Sequence, residues 1–205
     1  MAKVDMKKEL KELYFPPKKP VMVDVPEMNF LMVDGGGDPN TSQEYKDSIE
    51  VLYTMSYTLK FMIKGENPEH DYTVMPLEGL WWADDMSSFL AGEKGEWKWT
   101  SMIMQPEFVT EKHVGEAIGQ VKEKKDPIAL PKCRFEAFRE GLSGQIMHIG
   151  PYAEEAPNIE KLHAFIKEQG HEFDGLVQKH HEIYLSDPGR TAPERLKTVI
   201  RQPVK

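Results

Sequence analysis

The sequence predicts an α+β fold built from two helix-on-antiparallel-sheet repeats, related by a pseudo-two-fold axis and leaving a groove between them. Three observations carry that reading. A strand–turn–helix–strand order occurs between residues 21 and 107 and again between 132 and 205. Each half has a helix that follows a marked turn, Asp34-Gly35-Gly36-Gly37-Asp38-Pro39-Asn40 in the first and Gly150-Pro151-Tyr152 in the second. Both halves also close alike, Met104-Gln105-Pro106 against Arg201-Gln202-Pro203. The domain plan that follows is a lead-in over 1–20 and one domain over 21–205. That domain divides into a first repeat 21–107, a connector 108–131 and a second repeat 132–205.

Each element has its own signal. Tyr14-Phe15-Pro16-Pro17 and Pro20 end the amphipathic lead-in, because proline stops a helix and favours extended chain. Val21–Val25 and Asn29–Val33 read as two strands interrupted by Pro26. Thr41 and Glu44 have capping-box spacing, and Tyr45, Ile49, Leu52, Ser56, Leu59 and Ile63 recur at helical spacing up to Gly65. Asp71–Trp82 reads as a strand, Asp84–Glu96 as a polar loop, and Trp97–Met104 as the next strand. Val114, Ala117, Ile118 and Val121 give a connector helix within 110–125, closed by Pro127 and Pro131.

In the second half Cys133–Arg139 and Gln145–Ile149 read as strands joined by a turn across Gly141…Gly144. Pro157 opens a helix with Ile159, Leu162 and Ile166 on one face, ended by Gly170. His181–Leu185 and Leu196–Arg201 complete the strands, so each half reads β-β-α-β-β.

Composition removes several classes of function. The 205 residues include 40% hydrophobic and 29% charged side chains, the balance of a water-soluble globular chain. No apolar run reaches the ~20 residues of a membrane span, and the N-terminus has no secretory apolar core, so the expected place is the cytoplasm and no membrane partner is expected. The formal net charge of −8 speaks against nucleic acid as a partner, since phosphate neutralisation needs a basic face. Its lysine groups at 7–19 and 122–125 are broken by acids and prolines.

The single Cys133 excludes a disulfide framework and any multi-cysteine metal site. No His-Glu-x-x-His is present, so no metal is expected, and the glycine run 35–37 lacks the lysine of a phosphate loop. No cofactor is called for, and the oligomeric state is left open.

The chemistry concentrates on His180-His181-Glu182-Ile183-Tyr184. Alternation along a strand puts His180, Glu182 and Tyr184 on one face and His181, Ile183 and Leu185 on the other. The second set is partly apolar and is expected to face the helices, which leaves the first set for the groove. Trp81 and Trp82 are adjacent, so one of them reaches that groove, while Trp97 and Trp99 share a face. Trp82, Trp99, Tyr152 and Tyr45 are the aromatic candidates beside Tyr184. Aromatic walls hold flat ligands and cations by stacking and cation–π contact, and they also simply fill cores.

His181-Glu182-Ile183-Tyr184-Leu185-Ser186-Asp187-Pro188, with Leu196-Lys197-Thr198 and Gln202-Pro203-Val204, resembles the end of the GyrI-like small-molecule-binding family. The Gly35–Gly37 turn and Pro76-Leu77-Glu78-Gly79-Leu80-Trp81-Trp82 resemble its stand-alone bacterial branch, and the similarity spans residues 20–205. The resemblance implies the same duplicated fold and a buried glutamate that meets lipophilic cations; Glu182 matches it by motif. It also implies, for some stand-alone members, hydrolysis of cyclopropane rings in DNA-alkylating compounds. No helix-turn-helix precedes residue 20, which argues against transcription control by this chain. The expected function is therefore recognition of a lipophilic aromatic or cationic small molecule in the groove, by Glu182, Tyr184, Trp82, Trp99, Tyr152 and Tyr45. The alternatives are a hydrolase of strained, cyclopropane-bearing xenobiotics with Glu182 as the catalytic base, and a protein-binding regulator such as a gyrase inhibitor.

Overall fold

A computed structural model describes residues 3–85 and 93–205. Two helical turns, α1 (Met6–Glu9) and α2 (Lys11–Tyr14), lead into six strands: β1 (Val21–Gly36), β2 (Glu78–Trp82), β3 (Lys98–Gln105), β4 (Arg134–Ile149), β5 (His180–Tyr184) and β6 (Lys197–Pro203). Three longer helices lie between them: α3 (Gln43–Glu66), α4 (Glu111–Lys124) and α5 (Ala156–Glu168). The strands pair antiparallel in the closed order β1-β3-β2-β5-β6-β4. This is an α+β fold. The order β1-β3-β2 in the first half matches β4-β6-β5 in the second, and the halves are joined by β1 against β4 and β2 against β5. No described helix is long and apolar enough to cross a membrane.

Two expected breaks are absent. Pro26 does not divide β1, and Gly141…Gly144 does not turn β4; each is one continuous strand of 16 residues. Pro26 has no N–H to give, and the ladder steps over it, pairing Val25 with Gly141 and then Glu27 with Arg139. Gly141 takes φ +77° beside this gap, so both punctuating residues bend one long pair of strands instead of ending them. Each half is thus β-α-β-β.

Local chemistry moves other boundaries as well. Ser42, not Thr41, caps α3 by accepting from the Tyr45 amide. Thr110 caps α4 in a box closed by His113. The stretch expected as a strand from Asp71 makes one isolated bridge, Tyr72 to Val4, and becomes a strand only at Glu78–Trp82, and Pro68–His70 before it forms a 3-10 turn. Of the expected polar loop 84–96, residues 86–92 lie outside the described residues.

The core has two parts. The larger joins Val51, Leu52, Met55 and Leu59 of α3 with Phe30, Met32, Met102 and Met104 of the barrel and with Val114 and Val121 of α4. The smaller joins Leu162 and Ile166 of α5 with Ile146 and Ile200. Leu13 and Tyr14 of the lead-in are buried as well.

Candidate functional site

Strand β5 lies in the middle of the barrel wall and has two faces with opposite fates. Glu182 sits opposite Gly79 on β2 and Ile200 on β6, so the three share a face. Ile200 packs under α5, and Ser101, opposite Gly79, is hydrogen-bonded to Ser48 of α3. The face bearing Glu182 is therefore the helix-covered one. The sequence expectation that His181 and Ile183 would face the helices is reversed, because the opposite face has its own covering: the lead-in.

On that opposite face His181 lies between two carboxylates, Glu140 at 2.9 Å and Glu78 at 3.0 Å. Arg201 donates to Glu140 at 3.0 Å and to the Leu13 carbonyl at 2.6 Å, while the Tyr14 hydroxyl donates to Glu78 at 2.8 Å. Burial alone would raise the Glu140 pKa, but the charges of His181 and Arg201 overcome it and hold it at about 2. Burial opposes charge on His181 too, yet its two carboxylate partners raise it to about 9. This network is saturated with partners and sealed from solvent. It holds the lead-in down and leaves nothing open for a ligand.

On the helix side, the Tyr184 hydroxyl donates to Glu182 Oε2 at 2.7 Å and accepts from Trp81 Nε1 at 3.0 Å. His180 Nε2 meets Glu182 Oε1 at 3.1 Å, and Gln202 Nε2 reaches His180 Nδ1 at 3.3 Å. Trp81 can lie this way because residue 79 is glycine: a Cβ there would come within 2.7 Å of the indole nitrogen. Gly35 does the same for Trp99, whose ring occupies the space a Cβ would need at 2.2 Å.

Two elements complete the site from outside the sheet. Tyr45, in the first turn of α3, puts its ring 5.7 Å from Trp81 and 5.1 Å from Trp99, and its hydroxyl reaches Tyr184. From the turn before α5 come Tyr152, edge-on to Tyr184 at 5.5 Å, and Glu155, whose carboxyl is in hydrogen-bond contact with that of Glu182. Burial and the Glu182 charge push Glu155 up to about 10, so it holds a proton at neutral pH. Glu182 goes the other way: burial would raise it, but the hydrogen bond and charge of His180, with hydrogen bonds to Tyr184 and Glu155, hold it below the usual range. Tyr152 is 38% exposed and Glu182 keeps 17% of its side-chain surface open, so the site reaches solvent past Tyr152.

Of the residues singled out in the sequence, the structure thus brings together Glu182, Tyr184, Tyr45 and Tyr152. Trp99 is fully buried and touches the group only through Tyr45. Trp82 is not among them. It points from the other face of β2, under Lys179 Nζ at 3.5 Å, into a separate pocket of about 500 Å³ lined by Asp34, Lys98 and Arg134. Of the adjacent pair it is Trp81 that faces Glu182, by the same alternation that separates Glu182 from His181. Glu155 was passed over, since a turn residue has no periodicity to mark it; its only signal is an acid at the end of the Gly150-Pro151 turn that faces the Glu182 strand. Among the described residues no group of three or more His, Cys, Asp or Glu is arranged to hold a metal ion.

The family model of the GyrI-like small molecule binding domain matches residues 18–205. The chain belongs to that family. Among solved structures, an uncharacterized conserved protein from Listeria innocua is 42% identical, with 99% of this chain and all of that one aligned at a TM-score of 0.92. Two structures of a hydrolase from the same organism are 41% and 40% identical, covering 99% and 100% of this chain and all of theirs, at TM-scores of 0.88 and 0.87. A search of the curated proteins finds no match. Membership in a small-molecule-binding family agrees with a buried carboxylate ringed by aromatic side chains.

Proposed function

We propose that this GyrI-like chain binds a lipophilic aromatic or cationic small molecule at the Tyr152 edge of the Glu182 site. One observation carries the reading. Glu182 is a buried carboxylate with no lysine or arginine partner among the described residues, and Tyr45, Trp81, Tyr152 and Tyr184 surround it. Its only charged neighbour of opposite sign among the described residues is His180, and a flat cation supplies a permanent counter-charge while stacking on the rings, each contact contributing roughly 0.5–2 kcal/mol. The test is titration with a planar cationic dye, followed through quenching of the tryptophans at 81, 97 and 99. Glu182→Gln is expected to weaken the cation by about 1–3 kcal/mol while hardly affecting a neutral analogue. Equal affinity for anionic and cationic analogues defeats the reading.

A second reading, hydrolysis, is favoured by Glu155. Two touching carboxyls with pKa values driven apart form an acid beside a base. The 40–41% identity to a hydrolase lends this support. On a cyclopropane conjugated to an electron-poor ring, water oxygen bonds to the ring carbon as the strained C–C bond breaks. The water proton passes to Glu182, and the electron pair runs into the conjugated carbonyl, which takes the Glu155 proton. The proton on Glu182 then returns to Glu155 across their contact, which resets the pair. Under this reading Glu182→Gln keeps substrate binding and lowers turnover by about 100-fold or more. Wild-type protein that binds such a compound without consuming it leaves the binding reading alone standing.

A further inference from the structure

The helix-side carboxyl pair has an unusual charge balance. Glu155 is 4% exposed, and among the described residues nothing donates to its buried Oε1. Its carboxyl is in hydrogen-bond contact with that of Glu182, and two carboxyl groups make such a contact only with a proton between them. The groups facing the pair are His180 and Tyr184 from β5, Tyr45 from α3, Thr198 from β6 and Tyr152 from the turn, with Asp187 acting on Tyr152 from farther off. His180 is the one base among them, and none is a lysine or arginine. The contrast is the other face of β5, where Arg201 serves that purpose for Glu140.

We propose that the site counts charge: Glu155 and Glu182 together keep one proton and one negative charge, so a ligand with one cationic centre binds with that proton in place, whereas a ligand with two cationic centres expels it to solvent. This charge counting rests on the binding reading above and specifies its ligand. The first cationic centre meets the charge already on Glu182. A second centre next to Glu155 meets a neutral acid, and it gains a counter-ion only if that acid ionises. Losing the shared proton removes the hydrogen bond between the carboxyls, so the two centres must lie close enough to screen them from one another. Bis-cationic aromatic compounds with the charges on adjoining rings are the class that fits, and their affinity rises with pH while that of singly charged analogues stays flat.

Benzyl viologen and N-benzyl-4-(4-benzylphenyl)pyridinium are matched probes, alike in shape and carrying two charges and one. Calorimetric titration of the full chain near neutral pH, in two buffers of different ionisation enthalpy, reads the protons exchanged. The expected result is about one proton released per benzyl viologen bound and roughly none for the monocation. Glu155→Gln is expected to abolish the release, since the amide has no acidic proton to lose. Equal proton counts for the two probes in the wild-type chain overturn the inference while leaving cation binding intact. Release that persists in Glu155→Gln also overturns it, by assigning the proton to His180. If neither probe binds, the reading of Glu182 as a cation partner falls, and the charge-counting inference with it. Should Glu155→Gln not fold, the wild-type comparison decides alone.

Discussion

Adjacent residues of β5 serve two buried carboxylate pairs that are stabilised in opposite ways. His181 faces Glu78 and Glu140, and there Arg201 and the Tyr14 hydroxyl leave no acceptor waiting. Glu182 faces Glu155, and there a proton does what a guanidinium does on the other side. The first arrangement closes on the chain's own lead-in. The second keeps an edge open beside Tyr152. A carboxylate that the fold has already neutralised is structure, whereas one that the fold has buried without a cation is available for binding.

The comparison breaks most readily at Arg201. Arg201→Met keeps the volume but leaves Glu140 buried against a single histidine and frees the Leu13 carbonyl. Removing one partner of such a pair costs about 3–5 kcal/mol, which a denaturant titration resolves easily. Glu155→Gln on the helix side, measured near pH 4.5 where the acid is still largely protonated in the unfolded chain too, is expected to change stability by about 1 kcal/mol or less. Similar losses in the two variants would mean that the faces do not differ as argued.

The pH profile of stability sharpens the same contrast. Glu140 is held down at about 2, so its contribution is complete above its ordinary 4.5 and is lost as pH falls through 2; Glu182, also held low, adds to this acid limb. His181 is raised to about 9, so its contribution is complete below 6.5 and is lost as pH climbs through 9. Glu155 is raised to about 10, so its protonated form favours the fold fully below 4.5 and progressively less up to 10. Thermal midpoints are therefore expected to peak near pH 4.5 and decline from there. In Glu155→Gln the decline should begin only near 6.5, where His181 starts to matter. An unchanged profile in that variant would show that Glu155 titrates alike in the folded and unfolded chain.

Much of this was legible in the residues. Alternation separated Glu182 and Tyr184 from His181, and the helical spacing from Tyr45 to Ile63 placed Tyr45 on a long helix. Which face the helices cover was not legible, because the covering of the other face comes from Leu13 and Tyr14, more than 160 residues away in the chain. The same long-range pairing hid the continuity of β1 and β4. Pro26 and Gly141 are ordinary break signals, and only their meeting across the ladder turns two breaks into one bend. Trp82 was a choice between neighbours that only the register of β2 on β5 decides.

Tyr14 tests how far the lead-in belongs to the sealed face. Tyr14→Phe deletes only the hydroxyl that donates to Glu78, leaving a buried carboxylate oxygen short of a donor. A loss of about 1–3 kcal/mol is expected in thermal or denaturant unfolding, with the larger end reflecting the charged acceptor. A neutral outcome would mean that water replaces the hydroxyl, and that the face is less sealed than its geometry implies.

The smallest expected effect is the most telling about the open face. Glu182→Gln removes the negative charge that has no lysine or arginine partner among the described residues, while the amide oxygen still accepts from Tyr184 and the amide nitrogen donates toward Glu155. Burial still holds Glu155 up, but the Glu182 charge that added to it is gone, so the Glu155 pKa is lower than in the wild type. Against the hydrogen bond from His180 that is weakened, the variant sheds the penalty of burying an ion. The two changes nearly offset, and stability is expected to shift by no more than about 1 kcal/mol. Glu140→Gln, measured alongside, removes the partner of Arg201 and His181 and should lose several times that, roughly 3 kcal/mol or more. Paired unfolding curves of the two variants settle the matter in one experiment. A Glu182→Gln loss as large as that of Glu140→Gln would make Glu182 a structural carboxylate like its counterpart and remove the ground for placing a ligand beside it.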